Sequence, residues 1–322
     1  MARRIAEIDF FKGVLIQLMI AFHLIYIGDS YPYLKQVVYT FHMPGFLLLS
    51  GYLLKQHAST SAFFRSVGWL LVPYAVMETG YVVMSAIVPV REAVDQLSLS
   101  LLIQKLLLHP LGPYWYLHTL VLCTLITRLV RGVPSATWRF VLAMVAVLGC
   151  AQGLGLLSAA NGCYFLLGVL LRQSGLSARS LLWCSWIALV PLCLLCLFPS
   201  ALDRSSLGGL LILYLVFSVL LRAFASVPRW LSRILQCAGR NSLPLFLFSP
   251  LFTLLMKFVV PWFAFDPTGL LFLCISLAVA SWGSLGIAWA MDRCGLSRYF
   301  CGRQLLKTIN PIQPAGGQMG HL

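Results

Sequence analysis

Long apolar runs separated by short polar gaps recur through nearly all of this 322-residue chain. They fall near 8–27, 37–54, 67–88, 113–130, 138–156, 159–171, 181–199, 207–221, 242–260 and 268–291. A helix rises about 1.5 Å per residue, so about 20 apolar residues cross the ~30 Å hydrocarbon layer of a bilayer. The chain is 60% hydrophobic and 10% charged, against about 25% charged in a soluble domain. Water cannot solvate that surface. The expected fold is therefore all-α, a polytopic membrane protein with about ten transmembrane helices. Leu97–Leu108 is apolar but too short to cross, and reads as an interfacial or re-entrant helix in the third loop.

A net charge of +14 would suggest nucleic acid in a soluble protein. Here the basic residues gather in alternate gaps, which is a topology signal, so no nucleic acid is expected. With a cytoplasmic N-terminus, most of the 23 Lys and Arg fall inside, from Arg3 and Arg4 to Arg303 and Lys307. Lys35, Arg91, Lys105 and Arg204 are left outside, beside Asp29, Glu92, Asp95, Asp203 and Asp266. Both termini are thus expected in the cytoplasm, and the protein in the cell (inner) membrane of a bacterium. Met1-Ala-Arg-Arg leads into an apolar run without a small-residue cleavage site, so the first span is expected to anchor itself. Residues 1–307 form the expected transmembrane domain, and 308–322 a disordered cytoplasmic tail. The Cys193/Cys196 pair lies on an apolar run without His or acidic neighbours, and reads as two buried small hydrophobes. No metal is expected.

Ionisable groups are costly inside a bilayer, so each is a candidate for function. The first run holds Asp9, Lys12 and His23. At about 100° per residue, Lys12 and His23 point within about 20° of each other, about 16 Å apart along the helix. Asp9 lies one turn before Lys12, placed to pair with it or to snorkel beside it. In the second run, His42 precedes Pro44, which breaks or kinks a helix, while Ser50-Gly51 permits close helix approach or irregular backbone. Glu78 is mid-span in the third run and needs a partner or a proton. Pro113-Tyr114-Trp115-Tyr116-Leu117-His118 is either an interfacial aromatic belt or a stacking platform for a sugar or lipid headgroup. Gly239-Arg240-Asn241-Ser242-Leu243 is either a helix start capped by Asn241 or Ser242, or an anion site.

In this order, the segments Asp9-Phe10-Phe11-Lys12-Gly13 with His23, Phe41-His42-Met43-Pro44 through Ser50-Gly51-Tyr52, Pro73-Tyr74, Trp115-Tyr116-Leu117 and Gly239-Arg240-Asn241-Ser242-Leu243 resemble the acyltransferase-3 family of integral membrane O-acyltransferases. The likeness spans roughly residues 5–250. The Phe-His-Met-Pro form and the bare ten-span length are similar to the fucose 4-O-acetylase-like branch. The resemblance implies an acyl-CoA donor, usually acetyl-CoA, bound from the cytoplasm. It implies a sugar hydroxyl of a surface glycan or lipid-linked saccharide as acceptor. Carried over by position, His23 is the general base or a transient acyl carrier, with Lys12 and Asp9 in the catalytic set. Arg65, Arg240, Asn241 and Ser242 would hold the donor, and His42, Trp115, Tyr116 and Glu78 the acceptor. Two positions depart from the family pattern: Trp69 stands where a basic residue is common, and Ser249 where a His often follows the Gly-Arg-Asn-Ser-Leu segment. The alternative function is a small-molecule transporter or flippase, using the same buried His and Lys without acyl chemistry.

Overall fold

The computed structural model describes residues 5–55, 59–87, 94, 96–131 and 137–307. The expected tail at 308–322 lies outside the described residues, as do Arg3, Arg4, Arg91, Glu92 and Asp95. All regular structure among the described residues is helical. The α-helices in chain order are α1 (Ala6–His23), α2 (Ile25–Ser30), α3 (Pro32–Tyr52), α4 (Thr60–Ser85) and α5 (Leu99–Leu107). There follow α6 (Trp115–Arg131), α7 (Thr137–Gly153), α8 (Ala159–Gln173), α9 (Ala178–Leu181) and α10 (Leu189–Cys196). The last five are α11 (Leu207–Ser226), α12 (Arg229–Arg240), α13 (Ser242–Met256), α14 (Leu270–Arg293) and α15 (Leu296–Cys301).

Among the described residues, four helical stretches are long and apolar enough to cross a membrane: Thr60–Ser85, Leu207–Ser226, Ser242–Phe263 and Leu270–Arg293. Two shorter apolar stretches, Thr137–Gly153 and Trp186–Cys196, accompany them. Local signals set several starts. Ser59, Ser98 and Ser206 each accept a hydrogen bond from the third residue on, at α4, α5 and α11. Pro32 opens α3, where its missing N–H has no intrahelical acceptor to lose. The outer faces are apolar: Leu71, Val72 and Val76 of α4 and Trp282 of α14 are exposed. An apolar exterior around a helical bundle suits lipid and not water.

Although it carries Glu7, Asp9 and Lys12, α1 takes the centre. It packs on α3, α11, α12, α13 and α14, and buries Phe10, Phe11, Leu15, Ile16, Met19 and Ile20 almost completely. Two glycine pairs set the closest helix crossings. A methyl group on Gly13 would strike the Leu235 carbonyl, and one on Gly239 the Asp9 carbonyl, so α1 and α12 touch backbone to backbone. Gly51 of α3 and Gly168 of α8 meet in the same way, against the carbonyls of Phe165 and Leu48. The close approach expected at Ser50-Gly51 is therefore present.

Several sequence expectations need correction. The first run does not continue as one helix to 27: Leu24 is extended (φ −67°, ψ 112°), and α1 ends at His23. The run at 181–199 begins at the last residue of α9 and then holds a 3-10 turn at Trp186–Ala188 and the short α10. Trp186–Cys196 rises only about 16 Å, half the hydrocarbon thickness, so it does not cross as a single helix. Pro44 does not break α3, which runs through it to Tyr52. The gap between the eighth and ninth runs is a helix, α12, whose alternating charged and apolar residues make no continuous apolar run. The CxxC residues are not buried hydrophobes: Cys193 is exposed and Cys196 half-buried, and all ten cysteines are free thiols. The expected helix in the third loop is present as α5.

Candidate functional site

At one end of α1 the chemistry is closed on itself. The Gly13–Gly239 crossing brings the C-terminal turn of α12 onto the first turns of α1. There Arg240 Nε donates to Asp9 Oδ2 at 3.1 Å. The pair is largely sealed, with side-chain exposures of 9% for Arg240 and 16% for Asp9. Lys12 is half-buried beside this crossing. Next along the chain, Asn241 adopts a bridging conformation between α12 and α13. Its amide is spent on backbone: Nδ2 donates to Cys237 O at 3.0 Å, and Oδ1 accepts from Lys307 N at 2.8 Å. Asp292 at the end of α14 accepts from Leu305 N and Leu306 N. These two side chains moor the last described residues against the bundle. Asn241 is the residue before α13, as expected of a cap, but its side chain makes no capping bond; Ser242 is the first helical residue and is buried. Arg65 is exposed on α4, a helix that packs on α5, α6 and α15.

At the other end α1 opens onto a cavity of about 330 Å³. Its lining includes His23, Tyr39, His42, Trp115, Arg204 and Phe246. Elements far apart in sequence supply them: the last residue of α1, one face of α3, the start of α6, the loop before α11, and α13. The two imidazoles are held alike. His23 Nδ1 lies 2.7 Å from Met19 O, and His42 Nδ1 lies 2.8 Å from Val38 O. A carbonyl only accepts, so each Nδ1 is the donor. In the neutral ring that tautomer puts the lone pair on Nε2. His42 Nε2 is buried and has no hydrogen-bond partner among the described residues. Tyr39 stands between the rings, its centroid 6.0 Å from His23 and 5.0 Å from His42. Its hydroxyl donates to Phe22 O at 3.2 Å, tying α3 to the end of α1.

Trp115 is positioned by a buried turn. Glu78 of α4 is fully buried, and its Oε1 accepts from Leu111 N at 2.6 Å. Gly112 follows with φ +56°, a left-handed conformation that suits glycine, with the Tyr81 ring packed where a side chain would be. Tyr114 then donates to Leu247 O at 2.8 Å. Together they fix the 3-10 turn from which α6 starts at Trp115. Glu78 thus acts on the wall of the cavity and not within its lining. Tyr116 also stands behind the wall: its hydroxyl pairs with Ser50 Oγ at 2.9 Å, and its ring meets Phe246 at 5.3 Å.

The cavity therefore gathers His23, His42 and Trp115 of the expected residues. Asp9, Lys12, Arg240, Asn241 and Ser242 lie at the opposite end of α1. Sequence reasoning passes over Arg204, whose guanidinium lies over the Trp115 ring at 5.5 Å. The signal available for it is its place among the few basic residues that the topology leaves outside.

Comparison with known proteins identifies the family. Residues 5–289 match the acyltransferase-3 family, described as an acyltransferase domain. No curated protein and no solved structure matches the chain. The match takes in both ends of α1, the cavity and the α1–α12 crossing, so the chain belongs to the acyltransferase-3 family and is a multi-pass membrane acyltransferase.

Proposed function

We propose that this protein is an O-acetyltransferase, moving an acetyl group from cytoplasmic acetyl-CoA to a sugar hydroxyl on a surface glycan or lipid-linked saccharide. One observation supports it most: two imidazoles, each with Nδ1 committed to a backbone carbonyl, share a cavity with a half-buried indole. Such rings present a basic Nε2 to whatever enters, and an indole is a platform for a sugar face. His23, half-buried at the tip of α1, is the base. Its Nε2 takes the acceptor's hydroxyl proton as the oxygen attacks the thioester carbonyl. The tetrahedral adduct then expels the CoA thiolate, which receives the proton. His42 holds the acceptor through its Nε2, and Trp115 stacks against the ring.

In this reading the Arg240 end of α1 faces the cytoplasm and takes the donor. Lys12, Arg65 and Arg240 would attract the CoA phosphates by their positive field, Arg240 while still held by Asp9. The buried Asn241 and Ser242 would shape the start of α13 behind them. The bilayer is crossed about ten times, with both termini inside. The fucose 4-O-acetylase-like branch supplies the functional comparison for the acceptor. Proteoliposomes given labelled acetyl-CoA and a panel of saccharides test the reading. Label should pass to a sugar, and His23→Ala should stop it. Uptake of the sugar with no label transferred would favour a transporter instead.

A further inference from the structure

The cavity is lopsided in charge. Its described lining includes two imidazoles and one guanidinium, and no carboxylate. Arg204 is half-buried, and among the described residues its guanidinium has neither an ion pair nor a hydrogen bond. Its neighbour Asp203 is turned to its own backbone, with Oδ1 accepting from Ser205 N at 2.8 Å. The indole beneath offers cation–π attraction and satisfies none of the five N–H donors.

The backbone that carries Arg204 is also held firmly. Tyr164 of α8 donates to Arg204 O at 2.8 Å, and Thr40 of α3 donates to Leu202 O at 2.8 Å. Ser206 donates to Asp203 O at 2.7 Å and accepts from Gly209 N at 3.0 Å. These side chains, with Asp203 itself, fix a segment whose cation lines the cavity that holds both imidazoles. A residue that merely snorkelled to lipid would need no such mooring from two other helices.

We infer that the acceptor is an anionic saccharide, bearing a carboxylate or a phosphate that Arg204 binds while Trp115 stacks on the sugar ring. A planar guanidinium fork matches either group with two parallel hydrogen bonds. The partner charge, lacking in the cavity wall, would arrive with the substrate. This assignment rests on the proposed function, because it takes the cavity to be the acceptor site.

The test uses purified full-length protein in neutral detergent and three probes: methyl glucoside, methyl glucuronide and glucose 1-phosphate. Binding is read by tryptophan fluorescence and thermal shift, and inhibition or acceptance by acetyl-CoA turnover. At least one charged probe should bind about tenfold more tightly than methyl glucoside. A carboxylate preference and a phosphate preference distinguish the two anion sources. Arg204→Gln should erase the advantage and Arg204→Lys restore part of it, both eluting as monodisperse protein. Equal response to charged and neutral probes, or an unchanged preference in Arg204→Gln, overturns the inference. So does an Arg204 effect that appears only when anionic lipid is added back, since that marks a headgroup contact. His23→Ala separates the two ideas, because it should keep the charge preference while losing acyl transfer. A charge preference in a protein that never transfers acetyl would remove the proposed function and leave the anion site standing.

Discussion

The two ends of α1 use similar residue types to opposite effect. At the Gly13 end, Asp9 meets Arg240 across a backbone-to-backbone crossing, and the neighbouring Asn241 spends its amide on main-chain groups. At the His23 end the helix stops, the backbone turns extended at Leu24, and two imidazoles line a cavity with only Nδ1 committed to the backbone. A polar group whose bonding is complete within the protein rigidifies it. One whose lone pair is kept for an incoming molecule can do chemistry. Polarity inside a membrane helix therefore marks a site worth inspecting, and the groups packed around it tell which kind it is.

The sharpest break of this contrast is Gly239→Leu. Its side chain would fill the space occupied by the Asp9 carbonyl, and α12 could dock only by moving off α1. We expect little or no monodisperse protein on size exclusion, a loss above about 3 kcal/mol. Normal yield and melting would show that the crossing is dispensable.

At the open end, His23→Ala should cost about 1 kcal/mol in melting, the scale of its bond to Met19 O, while acetyl transfer falls by about 10²–10⁴-fold. The readouts are thermal unfolding and labelled transfer on one preparation. A variant that melts early and transfers normally would exchange the roles assigned to the two ends.

Arg240→Met tests the closed end electrostatically. It leaves the Asp9 carboxylate in a largely sealed site, at an expected cost of about 3 kcal/mol in chemical or thermal unfolding. Asp9→Leu combined with Arg240→Met should recover most of that loss, because neither charge then lacks its partner. If the double variant is as weak as the single, the pair acts through something other than mutual compensation.

His42→Ala removes one hydrogen bond to the acceptor in the proposed reading. Transfer should fall about tenfold, chiefly through a higher KM for the sugar. A drop in kcat as deep as that of His23→Ala would make His42 the base. Smallest of all, Asn241→Ala should cost about 1 kcal/mol through the bond to Lys307 N. Faster amide exchange near 305–307 would report it, and unchanged protection would separate Asn241 from the mooring.

Much of this molecule is legible in its amino-acid order. The apolar runs, the low charge and the motif order identify an all-helical membrane protein and its family, and residues 5–289 match that family. His23, His42 and Trp115 stand out because polar or aromatic groups within apolar runs are conspicuous. Arg204 does not, because a single basic residue in a loop carries no local pattern. Glu78 is conspicuous too, yet its task is hidden. Its carboxylate braces the Leu111–Tyr114 turn, a contact between α4 and a turn more than thirty residues on. Likewise α12 looks like a polar loop, because its charged residues mask the face that packs on α1.

The sequence alone determined the solvent this chain is built for, the helical class and the short set of residues able to do chemistry. Those follow from composition and periodicity, which are local and survive without knowing any neighbour. Only the tertiary structure decided which of those residues meet: Asp9 with Arg240, and His23 with His42, Trp115 and Arg204. Such meetings depend on where helices cross and stop. Those points are set by backbone contact at glycines and by buried hydrogen bonds between segments distant in the chain.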